Sequence, residues 1–304
     1  MFILFGAHSL MYSQKYSVEI FNTDNGLPQN SVKDIIKDKY GFIWLTTENG
    51  IVRFDGGNFL VYNELPLNNQ RFTFFYGNIE KDSILTAAGY GTVLVCKRTA
   101  KVLTYSNSSR KKKLYYLNSN YHPSQGVPFF ITMKKGYYLI NNNEVTYKSY
   151  SSQKKINIGI RTIYKNTLTV FASDKYLYHI DHVTKKILKI ENGKVIGRYN
   201  VPLLADINSR VIWSKINKSI FIVNDNNIYD CSERSGVFKI TKITNISFIK
   251  NINSKVLTCI YYDRVYNKLY LGTSNEGLIV LNFHTFDIAK KAINKADIFY
   301  ASLP

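Results

Sequence analysis

Two histidines and an aspartate in the middle of the chain come closest to a set of metal ligands. His179 and His182 are three residues apart, and Asp181 lies between them. Imidazole and carboxylate groups are common zinc ligands, but a site needs three or four of them facing one ion. The surrounding residues alternate in hydropathy as in a strand, where residues three apart point to opposite faces. Since the two histidines point to opposite faces and no further ligand is apparent, we expect no metal site here.

Paired carboxylates could serve as the acid and base of a glycoside hydrolase if two of them faced one cleft. The candidates are Asp24, Glu48, Asp55 and Glu276. All four lie in predicted turns, where acidic side chains commonly accept hydrogen bonds from the backbone. The G-x-S-x-G, H-E-x-x-H, P-loop and G-x-G-x-x-G motifs do not occur in the sequence. We therefore predict no catalytic residues, and a hydrolase or lyase is the less favoured alternative.

The three cysteines, Cys96, Cys231 and Cys259, are far apart, and no two form a C-x-x-C pair. This spacing excludes a zinc ribbon and a dithiol redox motif. Their neighbours are apolar or β-forming, as expected for thiols that pack as small hydrophobic side chains. We therefore predict no cofactor.

The composition is that of a globular protein with a basic surface. The chain has 304 residues, of which 45% are hydrophobic and 14% aromatic, and 40 Lys and Arg against 21 Asp and Glu give a net charge of +19. No apolar run is long enough to span a membrane. Only residues 110–113 form a basic run, whereas nucleic-acid binders cluster Arg and aromatic residues on one face. We therefore predict dispersed, solvated lysines and no nucleic-acid partner, with an anionic ligand as the alternative.

Short strands with alternating hydropathy fill the sequence. Residues 42–62 predict three strands separated by turns at 48–50 and 55–57, and residues 31–36 predict a fourth strand before them. The turns contain Asn-Gly and Asp-Gly pairs, which favour hairpins because glycine accepts a positive φ without steric cost. Four antiparallel strands in about 35 residues form one compact unit.

The same unit recurs near the other end of the chain. The positions that correspond, at almost constant offsets, are Val32 with Leu257, Asp38 with Asp263, Trp44 with Tyr270, Thr47 with Thr273, and Gly50 with Gly277. Looser strand–turn–strand units between them are centred near residues 91, 142, 174 and 226. The spacing of about 45 residues fits a four-stranded blade and no helical solenoid. We therefore predict an all-β fold, a β-propeller of four-stranded antiparallel blades, with about six blades present.

The predicted blades lie within a propeller domain at residues 15–304 and cover approximately residues 31–63, 70–107, 127–150, 158–190, 206–243 and 256–291. Propeller rings are often closed by the N-terminal strand. We therefore expect a partial last blade at 292–304, completed by the alternating segment 15–21, as part of a seven-bladed ring; a complete six-bladed ring is the alternative. Residues 1–14 are apolar and lack a basic start, which is typical of a truncated signal peptide or leader, and a buried first strand is the alternative.

The first blade closely resembles the two-component regulator propeller repeat. GLPQNSV at residues 26–32 and DKYGFIWLTTENGIVRFDG at residues 38–56 match nearly every signature position of that family. The last predicted blade keeps part of the signature, whereas blades two to five lack most of it. The resemblance implies the periplasmic sensor part of a Bacteroidetes sensor histidine kinase, including hybrid two-component systems. In that family an immunoglobulin-like domain, one membrane helix and a kinase core follow the propellers.

The signature positions are mostly those that turns and blade packing require. They are Gly41, Trp44, Thr47, Gly50, Asp55, Gly56, Tyr270, Gly272, Thr273 and Gly277. Candidates for ligand contact lie in the segment that opens the first blade, because loop amides can hydrogen-bond sugar hydroxyls; they are Asp24, Asn25, Gln29 and Asn30. Ring closure is the alternative role of that segment.

The function that these observations predict is extracytoplasmic ligand sensing in a two-component system, without catalysis by this chain. An unknown small ligand, such as an oligosaccharide, or dimerisation would be coupled to a downstream histidine kinase. The resemblance implies a periplasmic location, a homodimer in the full-length sensor, and membrane attachment only through a downstream transmembrane helix. The alternatives are a stand-alone propeller scaffold that binds a protein or a polyanion and, less favoured, a propeller hydrolase or lyase.

Overall fold

A computed structural model describes the chain in twelve ranges. They are residues 16–67, 69–76, 80–88, 91–105, 129–140, 144–152, 155–158, 170–173, 175–206, 208–214, 216–234 and 237–283. Within them the chain forms 24 β-strands and two short 3-10 helices, Thr23–Asn25 and Pro202–Ala205. Neither helix has the length and hydropathy of a membrane span. The all-β prediction is confirmed.

The strands are short, as the hydropathy pattern predicts. The first twelve are β1 (Tyr16–Phe21), β2 (Val32–Lys37), β3 (Ile43–Thr47), β4 (Gly50–Phe54), β5 (Phe59–Tyr62), β6 (Phe72–Tyr76), β7 (Ser83–Ala88), β8 (Gly91–Cys96), β9 (Lys101–Tyr105), β10 (Phe129–Met133), β11 (Gly136–Ile140) and β12 (Val145–Ser149). The other twelve are β13 (Lys155–Asn157), β14 (Val170–Ala172), β15 (Leu177–Asp181), β16 (Lys186–Glu191), β17 (Lys194–Asn200), β18 (Arg210–Ser214), β19 (Ser219–Asn224), β20 (Asn227–Arg234), β21 (Val237–Asn245), β22 (Leu257–Asp263), β23 (Lys268–Thr273) and β24 (Leu278–Phe283).

These strands build six four-stranded antiparallel sheets, the blades of a β-propeller. Blades one to five each contain four consecutive strands, from β2–β5 to β18–β21. The sixth has the order β1-β24-β23-β22, so it combines the first strand with the last three. Consecutive strands pair because their connections are tight turns, as between Thr47 and Gly50, which are register partners. The predicted propeller of four-stranded blades is confirmed.

The N-terminal strand lies in a different blade from the one expected. The sequence predicts that residues 15–21 complete a blade at 292–304, but β1 pairs along its whole length with β24, from Tyr16 opposite Phe283 to Phe21 opposite Leu278. The pairing satisfies the backbone groups at the outer edge of β24. Residues 1–14 and 292–304 lie outside the described residues, and a seven-bladed ring stays a prediction.

The blade limits also differ from expectation where the outermost strand is weakly patterned. The third blade extends to Asn157 rather than 150, and the fourth extends to Asn200 rather than 190. Their last strands, β13 and β17, contain no buried residue. A strand that lies on the outside of the ring needs little hydrophobic alternation, so the hydropathy pattern does not reveal it.

The hydrophobic core lies between the blades. Five apolar clusters join blades one and two, three and four, four and five, five and six, and six and one. Neighbouring blades also approach each other through their first strands, β2 against β6 and β22, and β18 against β22. These first strands therefore lie nearest the axis of the ring, and we call them the inner strands.

Candidate functional site

The opening segment, residues 22–31, connects the sixth blade to the first. It begins with the 3-10 helix Thr23–Asn25, which is capped in both directions by side chains. Asn22 accepts a hydrogen bond on Oδ1 from the backbone N–H of Asp24 at 2.9 Å, and Asn25 accepts one on Oδ1 from the backbone N–H of Asn22 at 3.1 Å. This reciprocal capping fixes the path of the chain between two blades.

The four predicted ligand residues lie together in the opening segment: Asp24, Asn25, Gln29 and Asn30. Their oxygen atoms accept hydrogen bonds from the segment itself. Asn30 Oδ1 accepts from the backbone N–H of Thr23 at 2.9 Å, and Gln29 Oε1 accepts from that of Ser31. The backbone carbonyl of Asn30 accepts from the N–H of Gly277, 2.9 Å away in the sixth blade. The segment therefore fastens the first blade to the sixth.

Two signature aromatic residues pack at equivalent blade junctions. Trp44 is fully buried between blades one and two, stacks on Tyr62 at 5.9 Å between ring centroids, and donates from Nε1 to Asp38 Oδ2 at 2.8 Å. Tyr270 lies between blades six and one and stacks on Tyr261 at 5.4 Å. Burial raises the pKa of Tyr270 to about 12, so this phenol stays neutral. Both residues hold neighbouring blades together.

The signature threonines and glycines form the same turn in the first and sixth blades. Thr47 donates from Oγ1 to the carbonyl of Gly50 at 3.0 Å, and Thr273 donates to that of Gly277 at 2.9 Å. Gly50 has a φ of 108°, and a Cβ there would lie 2.6 Å from the carbonyl oxygen of Tyr62. Only glycine fits this position without a shift of the neighbouring backbone.

The candidate carboxylates also stabilise turns. Asp55 accepts from the backbone N–H groups of Gly57 and Asn58 at 2.9 and 2.7 Å, and these hydrogen bonds lower its pKa. Glu48 forms an ion pair with Lys33 at 2.7 Å. The two turns follow β4 and β3, so they lie at opposite ends of the first blade. The remaining signature glycines are Gly41 in the turn after β2, Gly56 in the turn after β4, and Gly272 on β23.

Acidic side chains on the inner strands connect blades across their junctions. Asp263 of the sixth blade is buried and accepts from the ammonium of Lys37 in the first blade at 2.5 Å. Asp34 of the first blade is also buried, and its Oδ2 accepts from the backbone N–H of Phe75 in the second blade at 2.9 Å. Buried carboxylates require such donors, so they fix the spacing of three successive blades.

A turn of the fifth blade crosses the axis of the ring, which the sequence did not indicate. Ile216 packs against the apolar clusters on both sides of the first blade. Asn217 accepts from the backbone N–H of Tyr262 at 2.9 Å and donates to its carbonyl at 2.7 Å. Lys218 forms an ion pair at 3.0 Å with Glu80 of the second blade. Residues 216–218 therefore cover one end of the axis, and we call them the axial turn.

A polar network joins the fourth and fifth blades. Glu233 accepts from Tyr178 Oη on Oε2 at 2.6 Å and from Lys189 Nζ on Oε1. Burial opposes ionisation of Glu233, but the hydrogen bonds from Lys189 and Tyr178 outweigh it, and the pKa of Glu233 is lowered. Burial together with the bond to Glu233 raises the pKa of Tyr178. The carboxylate has both oxygens occupied, which suits a structural role.

The two histidines of the candidate metal site lie on and after β15. His179 is buried on the strand, and His182 lies in the turn that follows. Asp181 accepts from the backbone N–H groups of Val183 and Thr184 at 3.0 and 3.1 Å, so its carboxylate caps that turn. Within the described ranges, no three His, Cys, Asp or Glu side chains are grouped as a metal site requires.

Residues 26–49, from the opening segment to the turn after β3, match the family model of the two component regulator propeller. This stretch is similar to a two-component regulator propeller repeat. The resemblance seen in the sequence is thereby confirmed for residues 26–49. No curated protein sequence matches the chain.

Two solved structures share the fold of this chain. The extracellular domain of a B. thetaiotaomicron protein named as a hybrid two component system is 18% identical with a TM-score of 0.50, and the similarity covers 88% of this chain and 42% of that one. A streptogramin B lyase is 15% identical with a TM-score of 0.59, covering 90% of this chain and all of that one. The chain thus spans about two fifths of the first of these proteins. At identities this low, the likeness to these structures shows the shared fold alone.

Proposed function

We propose that this chain is the ligand-sensing propeller of an extracytoplasmic two-component signalling protein, without catalytic activity of its own. The observation that carries the proposal is the match of residues 26–49 to the two component regulator propeller. In the periplasmic sensor that we propose, ligand binding or dimerisation changes the activity of a histidine kinase on the other side of a membrane. Such coupling requires a ligand that binds one arrangement of the subunits more tightly than another.

The packing of the blades supports this role. Blades five, six, one and two are connected through the axial turn, the Lys37–Asp263 pair and the Asp34–Phe75 hydrogen bond. A rigid set of blades can transmit a displacement as a unit, because packed cores switch between discrete arrangements rather than deform gradually. The opening segment belongs to this rigid part. Its hydrogen bonds favour ring closure, and ligand contact by Asp24, Asn25, Gln29 or Asn30 stays a prediction.

The reading frame after codon 304 tests the proposal. A continuous frame that encodes further blades, a membrane helix and a histidine kinase supports it. A stop codon without an adjacent kinase gene contradicts it and leaves the stand-alone scaffold. Retention on immobilised heparin that falls steeply with salt would indicate a polyanion binder. Product release from a panel of polysaccharides would indicate a hydrolase or lyase.

A further inference from the structure

A cleft on the third blade combines aromatic, hydroxyl and cationic side chains at the blade end formed by the β10–β11 and β12–β13 turns. It has a volume of about 260 Å³ and is lined by Tyr137, Lys148, Ser149, Tyr150, Ser151 and Ser152. This is smaller than the roughly 300–1,000 Å³ of clefts that hold drug-sized ligands. The volume therefore suits a ligand of about one sugar ring. None of these residues was a candidate in the sequence.

The aromatic walls of the cleft are two tyrosines. The rings of Tyr137 and Tyr150 lie 6.2 Å apart between centroids and are tilted by 40°. The side chain of Tyr150 is 60% exposed, although its backbone N–H is fixed by the carbonyl of Lys135 at 3.1 Å. A tyrosine ring offers an apolar face and a polar tip, which suits a flat ligand that carries hydroxyl groups.

The hydroxyl groups are arranged by the turn that follows β12. Ser149 Oγ and Ser151 Oγ lie 3.0 Å apart, and Ser149 Oγ also accepts from the backbone N–H of Ser151 at 3.2 Å. Ser151 and Ser152 are exposed. Hydroxyls both donate and accept hydrogen bonds, so they match the hydroxyl groups of a sugar.

Lys148 lines the cleft, and three more lysines lie on the neighbouring strand and in the adjacent turn. Lys148 on β12 lies directly opposite Lys155 on β13, and Lys134 and Lys135 form the adjacent β10–β11 turn. Among the described residues, none of the four forms an ion pair. Like charges directly opposite each other on a sheet are destabilising. An anion bound in the cleft would remove this repulsion.

We propose that this cleft binds a single acidic sugar unit, a sugar that carries a carboxylate or a sulfate group. Tyr150 stacks on the ring, the serine hydroxyls bond to the sugar hydroxyls, and Lys148 contacts the acidic group. This proposal names the class of ligand that the proposed sensor would detect, and its role in signalling rests on the proposed function. Binding of the sugar to the cleft can be measured whether or not the chain is a sensor.

Saturation-transfer NMR and calorimetry on the full chain test the proposal with defined probes. The probes are D-glucuronate and D-glucose 6-sulfate as the two acidic sources, D-glucose as the neutral ring, inorganic sulfate as the bare anion, and adenosine monophosphate. We expect at least one acidic sugar to bind more tightly than D-glucose, sulfate and the nucleotide, and to bind less tightly at high salt. Whichever acidic sugar binds better identifies the acidic group.

Matched variants locate the binding. Tyr150→Ala, which removes the stacking ring, and Lys148→Gln, which removes the charge-assisted contact, should each weaken binding of the acidic sugar by about tenfold. The controls are Tyr266→Ala, which removes a 67% exposed tyrosine from the sixth blade, and Lys194→Gln, which removes an exposed lysine from the fourth. They should leave binding unchanged.

Three results would overturn the proposal. They are no binding of either acidic sugar, equal or tighter binding of sulfate or the nucleotide, and binding that Tyr150→Ala and Lys148→Gln leave intact while thermal unfolding shows both variants folded. None of these results would contradict the proposed sensor function, which is tested separately by the reading frame after codon 304.

Discussion

The ammonium of Lys37 and the carboxylate of Asp263 meet at 2.5 Å where the first and sixth blades pack together. Burial alone would oppose ionisation of Asp263. The hydrogen bonds from Lys37 and from the backbone N–H of Tyr266, with the lysine charge, outweigh that effect and hold the pKa of Asp263 below its ordinary value of 3.8. The pair therefore stabilises the junction above pH 3.8 and loses this contribution as the pH falls through the lowered pKa.

Replacing Lys37 by methionine should show how the contribution of the Lys37–Asp263 pair to stability depends on pH. Lys37→Met leaves the buried carboxylate without its cation, and we expect unfolding free energy at pH 7 to fall by about 1.5–3 kcal/mol. The difference from the wild type should shrink towards pH 3, because this is below the ordinary pKa of 3.8, where the unfolded chain protonates Asp263 and the pair begins to lose its contribution. Urea denaturation at both pH values measures it. Lys39→Met, which removes an exposed ion pair with Asp82, is the control and should have little effect at either pH. An unchanged difference at pH 3 would contradict the assignment.

Trp44 should contribute more to stability than the other tryptophan of the chain. Trp44→Phe removes the hydrogen bond to Asp38 and leaves a gap between blades, so we expect a loss of about 2–4 kcal/mol. Trp213 is half-buried, and its Nε1 has no hydrogen-bond partner among the described residues. Trp213→Phe is therefore the matched control and should cost less than about 1.5 kcal/mol. Guanidinium denaturation, followed by the fluorescence of the remaining tryptophan, measures the unfolding free energy of both variants. Equal losses of stability would contradict a stabilising role for the hydrogen bond between Trp44 and Asp38.

Asn217 should hold the axial turn on the sixth blade. Asn217→Ala removes both hydrogen bonds to the backbone of Tyr262, and we expect a loss of about 1–3 kcal/mol and faster hydrogen exchange of the Tyr262 amide. Asn217→Asp keeps the acceptor for that amide and loses the donor, so its exchange should be slower than in the alanine variant. Exchange at Tyr262 that is the same in all three proteins would show that the turn is held by other contacts.

Gly277 should be essential for the pairing of β1 with β24. Its φ is 83°, and an added Cβ would overlap the carbonyl oxygen of Phe21. Gly277→Ala should therefore cost about 2–4 kcal/mol and make the strand Tyr16–Phe21 more sensitive to protease. Gly57→Ala is the control, because Gly57 has no positive φ and its nearest neighbour lies 4.0 Å from the added Cβ. Similar protease sensitivity in both variants would contradict this role.

The residues that sequence patterns revealed are those whose partners are close in the chain. Trp44 lies six positions from Asp38, and Thr47 lies three from Gly50. Each residue and its hydrogen-bond partner therefore belong to one blade, and the sequence of that blade is enough to predict the pair. The opening segment could be predicted for the same reason, because its residues are consecutive, whereas its contacts with the sixth blade could not. Its bond to Gly277 depends on how the ring brings the sixth blade beside the first.

The remaining features depend on the curvature of the ring and on strand register. Lys218 and Glu80 are 138 positions apart, and nothing local marks the axial turn as different from any other hairpin. Lys148 faces Lys155 only because β13 pairs with β12 in one particular register. Since β13 has three residues and no buried one, its hydropathy could not fix that register.

The pairing of Tyr16 with Phe283 has a mechanical consequence. Because β1 and β24 are antiparallel, residue 16 and residue 283 lie side by side, at the same end of the sheet. A pulling force applied between these two points would load the hydrogen bonds of β1 one after another, as in a zipper, and not all together in shear. Tension at this edge would therefore open the sixth blade at low force, before any other blade is strained.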